Sequence, residues 1–351
     1  LVLFVKNRYN GNIKGGYKMT FIEQIKERAR KDIKTIVLPE ATDIRILKAT
    51  EKVLKEKYAK IILVGNEEEI QKQAKTNNIS IEGAKIVDPE KSDLYDKYVD
   101  LLYNLRKEKG MTIEKAKELV LNPVYFGMLM LKDEEAKVDG LVSGAVHSTS
   151  DTLRPALQIL KTAPNTKLVS AFFVMVVPDC KYGKDGVFIF ADSGLNENPN
   201  PDQLSEIAIS SAKSFKQLIG KEPKVAMLSY STYGSAHSEL TEKMIEATKI
   251  TKEKAPDLLV DGELQLDAAI IPEIAESKAK GSPLKGEANI LIFPNLDAGN
   301  IGYKLVQRLG KAEAYGPLCQ GIAKPVNDLS RGCNSDDVAG VIAITAVQAQ
   351  K

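Results

Sequence analysis

The chain has 351 residues, of which 43% are hydrophobic and 27% charged, a globular composition that excludes an intrinsically disordered chain. Its 49 Lys and Arg residues nearly balance 47 Asp and Glu residues, and the net charge of +2 gives no support to nucleic acid or an anionic membrane as the main partner. At roughly 150 residues per domain, we expect two domains.

The first 18 residues differ from the rest of the chain. A short apolar start precedes a basic, Gly-rich stretch, which reverses the order found in a signal peptide. Met19 is followed by an amphipathic helical pattern. We therefore expect residues 1–18 to be a disordered leader or a cloning remnant, and the native chain to start at Met19.

From Met19 onward, short β-branched runs alternate with helical patterns, which predicts an α/β protein whose parallel sheets are covered by helices. The longest apolar run, within residues 168–177, is much shorter than the roughly 20 residues of a membrane-spanning helix, so we interpret it as a buried strand. The predicted strands are residues 35–38, 60–64, 84–87, 140–142, 167–177, 187–190, 224–228, 258–260, 290–293 and 320–323, and the clearest helices are residues 43–58, 93–109 and 336–350.

Two breaks in this pattern suggest domain boundaries, TAPNT at 162–166 and a turn at 315–317. If the second domain is inserted between them, domain I comprises residues 19–164 plus 318–351, and domain II comprises residues 165–317. The last loop between a strand and a helix, residues 324–335, would then lie at the mouth of an interdomain cleft. Clefts of this kind are where α/β proteins usually bind ligands.

The densest group of chemically active residues is NDLSRGCNSDDV at 327–338. Arg331 offers a guanidinium fork for a phosphate or carboxylate, Ser330 can donate a hydrogen bond to a developing oxyanion, and Asp337 can accept a proton. A purely structural interpretation is also open, in which Ser335 caps the final helix and the acidic first turn favours the positive end of its dipole. Neither interpretation excludes the other.

Arg154, Arg106 and Arg308 are weak candidates individually. Arg154 could pair with Asp151, and the other two lie near predicted helix ends, where cations complement the dipole. Together with Arg331 they indicate a polyanionic ligand, provided that the fold brings them together.

Cysteine and histidine usage excludes several classes of site. Three widely spaced cysteines without a CxxC pair disfavour a disulfide framework and a zinc ribbon, and they predict a reducing cytoplasm. Two histidines are too few for a multi-His metal site. Cys180 is more plausibly a tolerated thiol than a nucleophile, whereas Cys333, inside the suspected site loop, could be reactive without taking part in turnover. No GxGxxG, GxxxxGK[ST] or GxSxG motif occurs.

Seven ordered blocks resemble the phosphate acetyltransferase (phosphotransacetylase) family, and the likeness spans Met19 to Lys351. Phosphate butyryltransferases share the architecture, but the blocks at 144–158 and 198–208 look like the acetyl-specific branch. The blocks are VLPEATDIRILKA (37–49), GLVSGAVHSTSDTLRPALQ (140–158), FADSGLNENPNPDQLSEIA (190–208), SYSTYGSAHSE (229–239), DGELQLDAAI (261–270), FPNLDAGNIGYK (293–304) and DLSRGCNSDD (328–337).

The resemblance implies two α/β domains with an interdomain cleft, an architecture like that of isocitrate and isopropylmalate dehydrogenases, and a cytoplasmic homodimer. It implies reversible acetyl transfer between acetyl phosphate and coenzyme A in a direct ternary complex, with inorganic phosphate as the other product, no metal, and no cofactor because coenzyme A is a substrate. Nucleic acid and membrane are not expected partners. The implied roles are Asp337 as general base, Ser330 and Arg331 as the active-site pair, Arg154, Arg308 and Arg106 as substrate-binding residues, and Cys180 as a residue near the site that is not a nucleophile.

Three alternatives stay open at this stage. A phosphate butyryltransferase-like acyltransferase would use the same site with a longer acyl chain. An NAD-dependent decarboxylating dehydrogenase would need a metal held by several carboxylates, which form no such cluster in the sequence. A coenzyme A- or phosphate-sensing module would bind ligand without forming a thioester and would not need Asp337.

Overall fold

The structure, a computed structural model, describes residues 13–14, 17–164, 166–183 and 185–350. The chain divides into two compact units. Among the described residues, the discontinuous unit comprises 25–164 and 322–350, and the central unit comprises those of 166–321 together with those up to Gln24.

Helices and strands alternate through most of the described chain. In chain order they are β1 (Ile13–Lys14), β2 (Tyr17–Lys18), α1 (Phe21–Lys31), β3 (Lys34–Leu38), α2 (Ile44–Glu56), β4 (Ala59–Val64), α3 (Glu67–Thr76), β5 (Lys85–Val87), α4 (Tyr95–Arg106), a 3₁₀ turn (Lys107–Lys109), α5 (Ile113–Val120), α6 (Pro123–Lys132), a 3₁₀ turn (Glu134–Ala136), β6 (Gly140–Ser143), α7 (Thr149–Ile159), β7 (Ser170–Val176), β8 (Val187–Ala191), α8 (Pro201–Ile219), β9 (Lys224–Leu228), α9 (Glu239–Lys254), β10 (Leu259–Leu264), α10 (Leu266–Ile270), α11 (Pro272–Lys278), β11 (Ile290–Ile292), α12 (Leu296–Leu309), β12 (Glu313–Gln320), β13 (Val326–Asp328) and α13 (Ser335–Gln348).

The discontinuous unit has a five-stranded parallel sheet in the order β13-β6-β3-β4-β5. Helices cover both faces, which is why its strands are almost continuously apolar rather than alternating. On one face Val37 joins a core with Tyr98 and Phe126 from α4 and α6. On the other face lies α13, buried from Val338 to Val347.

The central unit has a six-stranded mixed sheet in the order β10-β9-β11-β8-β7-β12. The first four strands are parallel, while β7 and β12 run antiparallel to their neighbours. A core of buried side chains, including Phe173, Phe190 and Leu291, covers one face, and Tyr303 of α12 stacks on Phe173 with ring centroids 3.9 Å apart.

The predicted α/β class is confirmed, but the expectation of parallel sheets is wrong for the central unit, whose sheet is mixed, and the end of the chain was assigned wrongly. The expected turn at 315–317 lies inside β12, an edge strand whose register shifts between Tyr315 and Leu318, where a proline is tolerated. The expected last strand at 320–323 is wrong, because β12 ends at Gln320 and the last strand is β13. Since β12 pairs with β7, the central unit extends to Gly321 rather than ending at 317.

The cleft between domains and the likeness to the dehydrogenase architecture stay predictions. Of the expected leader, residues 1–12, 15 and 16 lie outside the described residues, and 13–14 and 17–18 form a short antiparallel pair. Among the residues that the structure describes, no helix is both long and apolar enough to cross a membrane.

Candidate functional site

Three loops meet at the carboxyl edge of the sheet in the discontinuous unit. They follow the neighbouring strands β3, β6 and β13, and we call them the β3 loop (39–43), the β6 loop (144–148) and the β13 loop (329–334). The chain continues from β3 to β4 on one side, whereas β6 lies on the other side, so the strand order reverses between β3 and β6. Open α/β sheets bind ligands at such a reversal.

Glu40 of the β3 loop holds the β6 loop in place. Its side chain is fully buried. Oε2 accepts a hydrogen bond from the backbone N–H of Ala145 at 2.8 Å, and Oε1 accepts from those of Val146 at 3.0 Å and His147 at 2.9 Å. Oε1 also lies 2.8 Å from Nδ1 of the His147 ring. One carboxylate therefore satisfies three backbone donors of a loop more than 100 residues away in sequence.

Arg45, near the start of α2, ties all three loops together. Its Nε and Nη2 donate to the two carboxylate oxygens of Asp43 at 2.9 and 2.8 Å, and this pairing holds the pKa of Asp43 below its ordinary value. Nη2 also donates to the carbonyl of Ala145 at 2.8 Å. Nη1 donates to the carbonyls of Arg331 at 2.7 Å and Cys333 at 3.3 Å. The guanidinium thus fixes the backbone on both sides of the β13 loop's glycine.

Asp328, the last residue of β13, is a buried acid beside these loops. Its Oδ2 accepts a hydrogen bond from the Thr149 hydroxyl at 2.6 Å, whereas Oδ1 has no hydrogen-bond partner among the described residues. Burial raises the pKa of Asp328 to about 6. Gly144 is required next to it, since its φ is +109° and an added Cβ would lie 2.2 Å from Asp328 Oδ1.

Asn334, not Ser335, caps α13, so that part of the structural interpretation of the sequence is wrong. The Asn334 side chain accepts from the N–H groups of Asp336 and Asp337, and Oδ2 of Asp337 accepts from the Asn334 N–H at 2.9 Å. This capping box leaves Oδ1 of the half-buried Asp337 without a hydrogen-bond partner in the described chain. Asp336 pairs instead with Lys52. Asp337 is therefore both a structural cap and an available carboxylate oxygen.

Ser330 and Arg331 are exposed at the tip of the β13 loop. The Ser330 hydroxyl accepts a hydrogen bond from the Gly332 N–H at 3.3 Å and still has its own proton to donate. The Arg331 guanidinium has no hydrogen bond or ion pair among the residues described, although its charge opposes the burial that raises the pKa of Asp328. The loop thus presents a free hydroxyl donor and a free cation next to Asp337.

Arg106 and Arg154 lie around the same tyrosine. Burial raises the pKa of the Tyr125 phenol, and the charges of both arginines oppose that rise. The phenol donates to Oε1 of Gln158 at 3.0 Å. Neither guanidinium forms an ion pair within the described part of the chain, so Arg154 does not pair with Asp151. The structure brings these two predicted arginines together, in the unit that carries the β13 loop.

The other two predicted residues lie in the central unit. Arg308 is exposed near the end of α12, and its charge opposes the rise in the pKa of Tyr303 that burial causes. Cys180 is half-buried between β7 and β8, with Sγ 4.0 Å from the carbonyl oxygen of Tyr182. Their participation in the site stays a prediction.

Cys333 differs from what its position in the sequence suggested. It is buried, and burial raises the pKa of its thiol to about 11. Because the thiolate is the reactive form, this cysteine is a poor nucleophile near neutral pH. Within the described residues, no group of three or more His, Cys, Asp and Glu side chains is placed to hold a metal ion.

Sequence reasoning missed four residues of the site as residues with roles: Glu40, Arg45, His147 and Asp328. All four lie inside blocks of the family resemblance, and that placement was the available signal. Their contacts could not be inferred from spacing, because Glu40 and the β6 loop are more than 100 positions apart and Arg45 and Arg331 are 286 apart.

Comparisons with known proteins agree with this geometry. A sequence profile described as phosphate acetyl/butaryl transferase matches residues 20–346. The phosphate acetyltransferase of Acetivibrio thermocellus is 64% identical over 332 residues, which cover 95% of this chain and 99% of that protein. The EutD phosphotransacetylase from Staphylococcus aureus has a solved structure that is 43% identical, with a TM-score of 0.85 and coverage of 94% of this chain and 98% of that one. A phosphotransacetylase from Streptococcus pyogenes is 39% identical, with a TM-score of 0.87 and coverage of 94% and 98%.

Proposed function

The chain belongs to the phosphate acetyl/butaryl transferase family, and from that premise we propose that it transfers an acetyl group reversibly between acetyl phosphate and coenzyme A. The observation that carries this proposal is the 64% identity to a phosphate acetyltransferase over 95% of the chain. The site geometry supports it, since an unpaired guanidinium, a hydroxyl donor and a carboxylate oxygen lie together at the point of the sheet where ligands bind.

Arginines without ion-pair partners would hold the substrates. Arg331 is free to form a bidentate interaction with the phosphoryl group of acetyl phosphate. Arg106 and Arg154, grouped around Tyr125, would take phosphates of coenzyme A. Arg308 is the fourth proposed substrate-binding residue, and Cys180 is proposed to lie near the bound substrates without acting as a nucleophile.

The proposed reaction is a single displacement. Asp337 accepts the thiol proton of coenzyme A on Oδ1, while its other oxygen stays in the capping box. The thiolate attacks the acetyl carbonyl carbon, Ser330 donates a hydrogen bond to the tetrahedral oxyanion, and Arg331 stabilises the departing phosphate. Because an unperturbed thiol has a pKa of about 8.5, a nearby carboxylate is sufficient to favour its loss near neutral pH. Holding both substrates in one site supplies much of the rate.

The rest of the assignment follows from this chemistry. Coenzyme A, acetyl-CoA, acetyl phosphate and inorganic phosphate are the proposed small-molecule partners, and the proposed steps use side chains and substrates without a cofactor or a metal. We further propose a cytoplasmic homodimer with acetyl preferred over butyryl, as the acetyl-type blocks at 144–158 and 198–208 suggest.

Thioester formation tests the proposal. Purified protein is mixed with coenzyme A and with acetyl, propionyl or butyryl phosphate, and the thioester is followed by its absorbance. We expect the highest kcat/KM for acetyl phosphate. Thioester from butyryl phosphate alone would move the assignment to the butyryl branch, and coenzyme A binding without any thioester would contradict an acyltransferase.

A further inference from the structure

His147 and Glu40 form a carboxylate–imidazole pair in the β6 loop. The fully buried carboxylate lies 2.8 Å from Nδ1, while the histidine side chain is 31% exposed. Nε2 has no hydrogen-bond partner among the residues described. A buried acid thus orients an imidazole whose other nitrogen faces solvent at the carboxyl edge of the sheet.

The hydrogen bonds to Glu40 fix the tautomer of this ring. Three backbone N–H groups donate to the Glu40 carboxylate, and a carboxylate can only accept hydrogen bonds. Nδ1 of His147 must therefore donate to Oε1. Nε2 carries a proton when the ring is cationic and a lone pair when it is neutral, so it can give or take a proton.

The β6 loop lies beside the β13 loop. Strands β6 and β13 are adjacent and parallel, with Asp328 paired to Ser143. One guanidinium, that of Arg45, donates to the carbonyls of both Ala145 and Arg331, which places those two carbonyl oxygens within one side chain's reach. His147 is two residues from Ala145, and Ser330 precedes Arg331. The imidazole therefore belongs to the same edge of the sheet as the proposed catalytic loop.

The proposed reaction leaves one proton transfer without an assigned group. When acetyl phosphate gives up its acetyl group, the bond between the carbonyl carbon and the bridging oxygen breaks and the electron pair stays on phosphate. Unprotonated, that phosphate would be a trianion, which is a strong base and a poor leaving group. A general acid at the bridging oxygen removes this cost.

We propose that His147, oriented by Glu40, is this general acid; the inference rests on the function proposed above. As the carbon–oxygen bond breaks, Nε2–H transfers its proton to the bridging oxygen and hydrogen phosphate leaves. The thiol proton passes to Asp337 in the same turnover. Solvent then removes that proton and reprotonates His147, so the sum is thiol plus acetyl phosphate giving thioester plus hydrogen phosphate. In reverse, neutral His147 takes the proton from hydrogen phosphate as it attacks acetyl-CoA.

Replacement of His147 by asparagine distinguishes a catalytic role of the imidazole from a purely structural role. In His147→Asn the side-chain amide can still donate to Glu40, but nothing replaces Nε2. We expect kcat for acetyl phosphate to fall about 100-fold to 1,000-fold, with KM and Tm little changed. His237→Asn, at an exposed histidine of the central unit, is the matched control and should keep wild-type kcat.

Chemical rescue by imidazole tests the catalytic role of His147 even where a substitution also affects folding. In His147→Gly, added imidazole should restore part of kcat in proportion to its concentration without changing Tm. Wild-type kcat in His147→Asn, a lost kcat that imidazole does not restore, or recovery of kcat and Tm together would each overturn the proposal. Wild-type protein in the same assay reports the proposed function separately, because its thioester formation does not depend on the role of His147.

Discussion

In both units a buried carboxylate at the carboxyl edge of the sheet accepts hydrogen bonds from the backbone of a loop. The two units differ in which neighbouring groups have no hydrogen-bond partner. After β8 in the central unit, the buried carboxylate of Asp192 accepts from the backbone N–H groups of Gly194 and Leu195, both at 2.9 Å, and of Ala171 at 3.2 Å. Asn196 donates the remaining bonds. In the discontinuous unit, Glu40 folds the β6 loop in the same way.

The two networks differ in the polar groups next to them that form no hydrogen bond. Around Glu40, the ring Nε2 of His147, the guanidinium of Arg331 and Oδ1 of Asp337 have no partners within the described residues. The donors that surround Asp192 belong to its own loop and to β7, and the unpaired atom next to it is a buried hydroxyl, Oγ of Ser193, rather than a charged or titratable group. A buried carboxylate that shapes a loop is therefore not in itself a sign of a site. Reactive groups left unpaired beside it are the informative observation.

We expect the largest effect on kcat when an aspartate in the first turn of α13 is replaced, and no effect from the equivalent change in α12. Both α12 and α13 begin after an Asn cap and carry aspartate in their first turn, Asp297 and Asp337 respectively. We expect Asp337→Asn to lower kcat about 1,000-fold with modest change in KM, because the proton acceptor for the thiol is lost. Asp297→Asn should keep wild-type kcat. Steady-state thioester assays measure both, and normal turnover in Asp337→Asn would exclude it as the base.

The next effect concerns Asp328, whose Oδ1 is unpartnered, unlike either oxygen of Asp192. Since burial raises the pKa of Asp328 from 3.8 to about 6, the folded state binds more protons than the unfolded state between these values. The free energy of unfolding should therefore fall by about 3 kcal/mol from this residue as the pH rises from about 3 to about 7. In Asp328→Asn this decrease in the free energy of unfolding should be absent. Urea unfolding of both proteins across this pH range measures it. An unchanged pH dependence would contradict the assignment.

The smallest effect is expected for the guanidinium that ties the loops. Arg45→Gln removes the donors to the Arg331 and Ala145 carbonyls, so no guanidinium joins the tip of the β13 loop to the β6 loop. We expect kcat/KM for acetyl phosphate to fall about tenfold, equivalent to about 1.4 kcal/mol. Arg30→Gln, which removes pairs with Glu27 and Glu56, is the matched control for loss of an ion-paired arginine. Equal losses in both variants would refute a positioning role for Arg45.

The fold was predictable where periodicity and burial agree. The strand expected at 224–228 is β9 itself, and the helix expected at 43–58 contains α2, because apolar runs and helical stripes there match what the sheet and its covering helices bury. The prediction failed at β13, a strand of only three residues that includes the buried Asn327. That side chain is satisfied by Thr345 and Gln348 of α13, contacts that make a polar residue tolerable inside a strand.

The site was predictable only in part, for a similar reason. Ser330, Arg331 and Asp337 stand within eight residues of one another, so a local pattern was enough to nominate them. Glu40 and Arg45 act on groups that only the parallel sheet brings near, and a rule based on local spacing cannot detect them.

The most direct test of the account asks whether sulfur displaces phosphate without an acetylated enzyme. The intact mass of the protein is recorded by rapid-quench mass spectrometry after mixing with acetyl phosphate in the absence of coenzyme A. The account predicts an unchanged mass, followed by full thioester formation when coenzyme A is added. An acetyl adduct on Cys180 that forms and passes to coenzyme A as fast as turnover would contradict it.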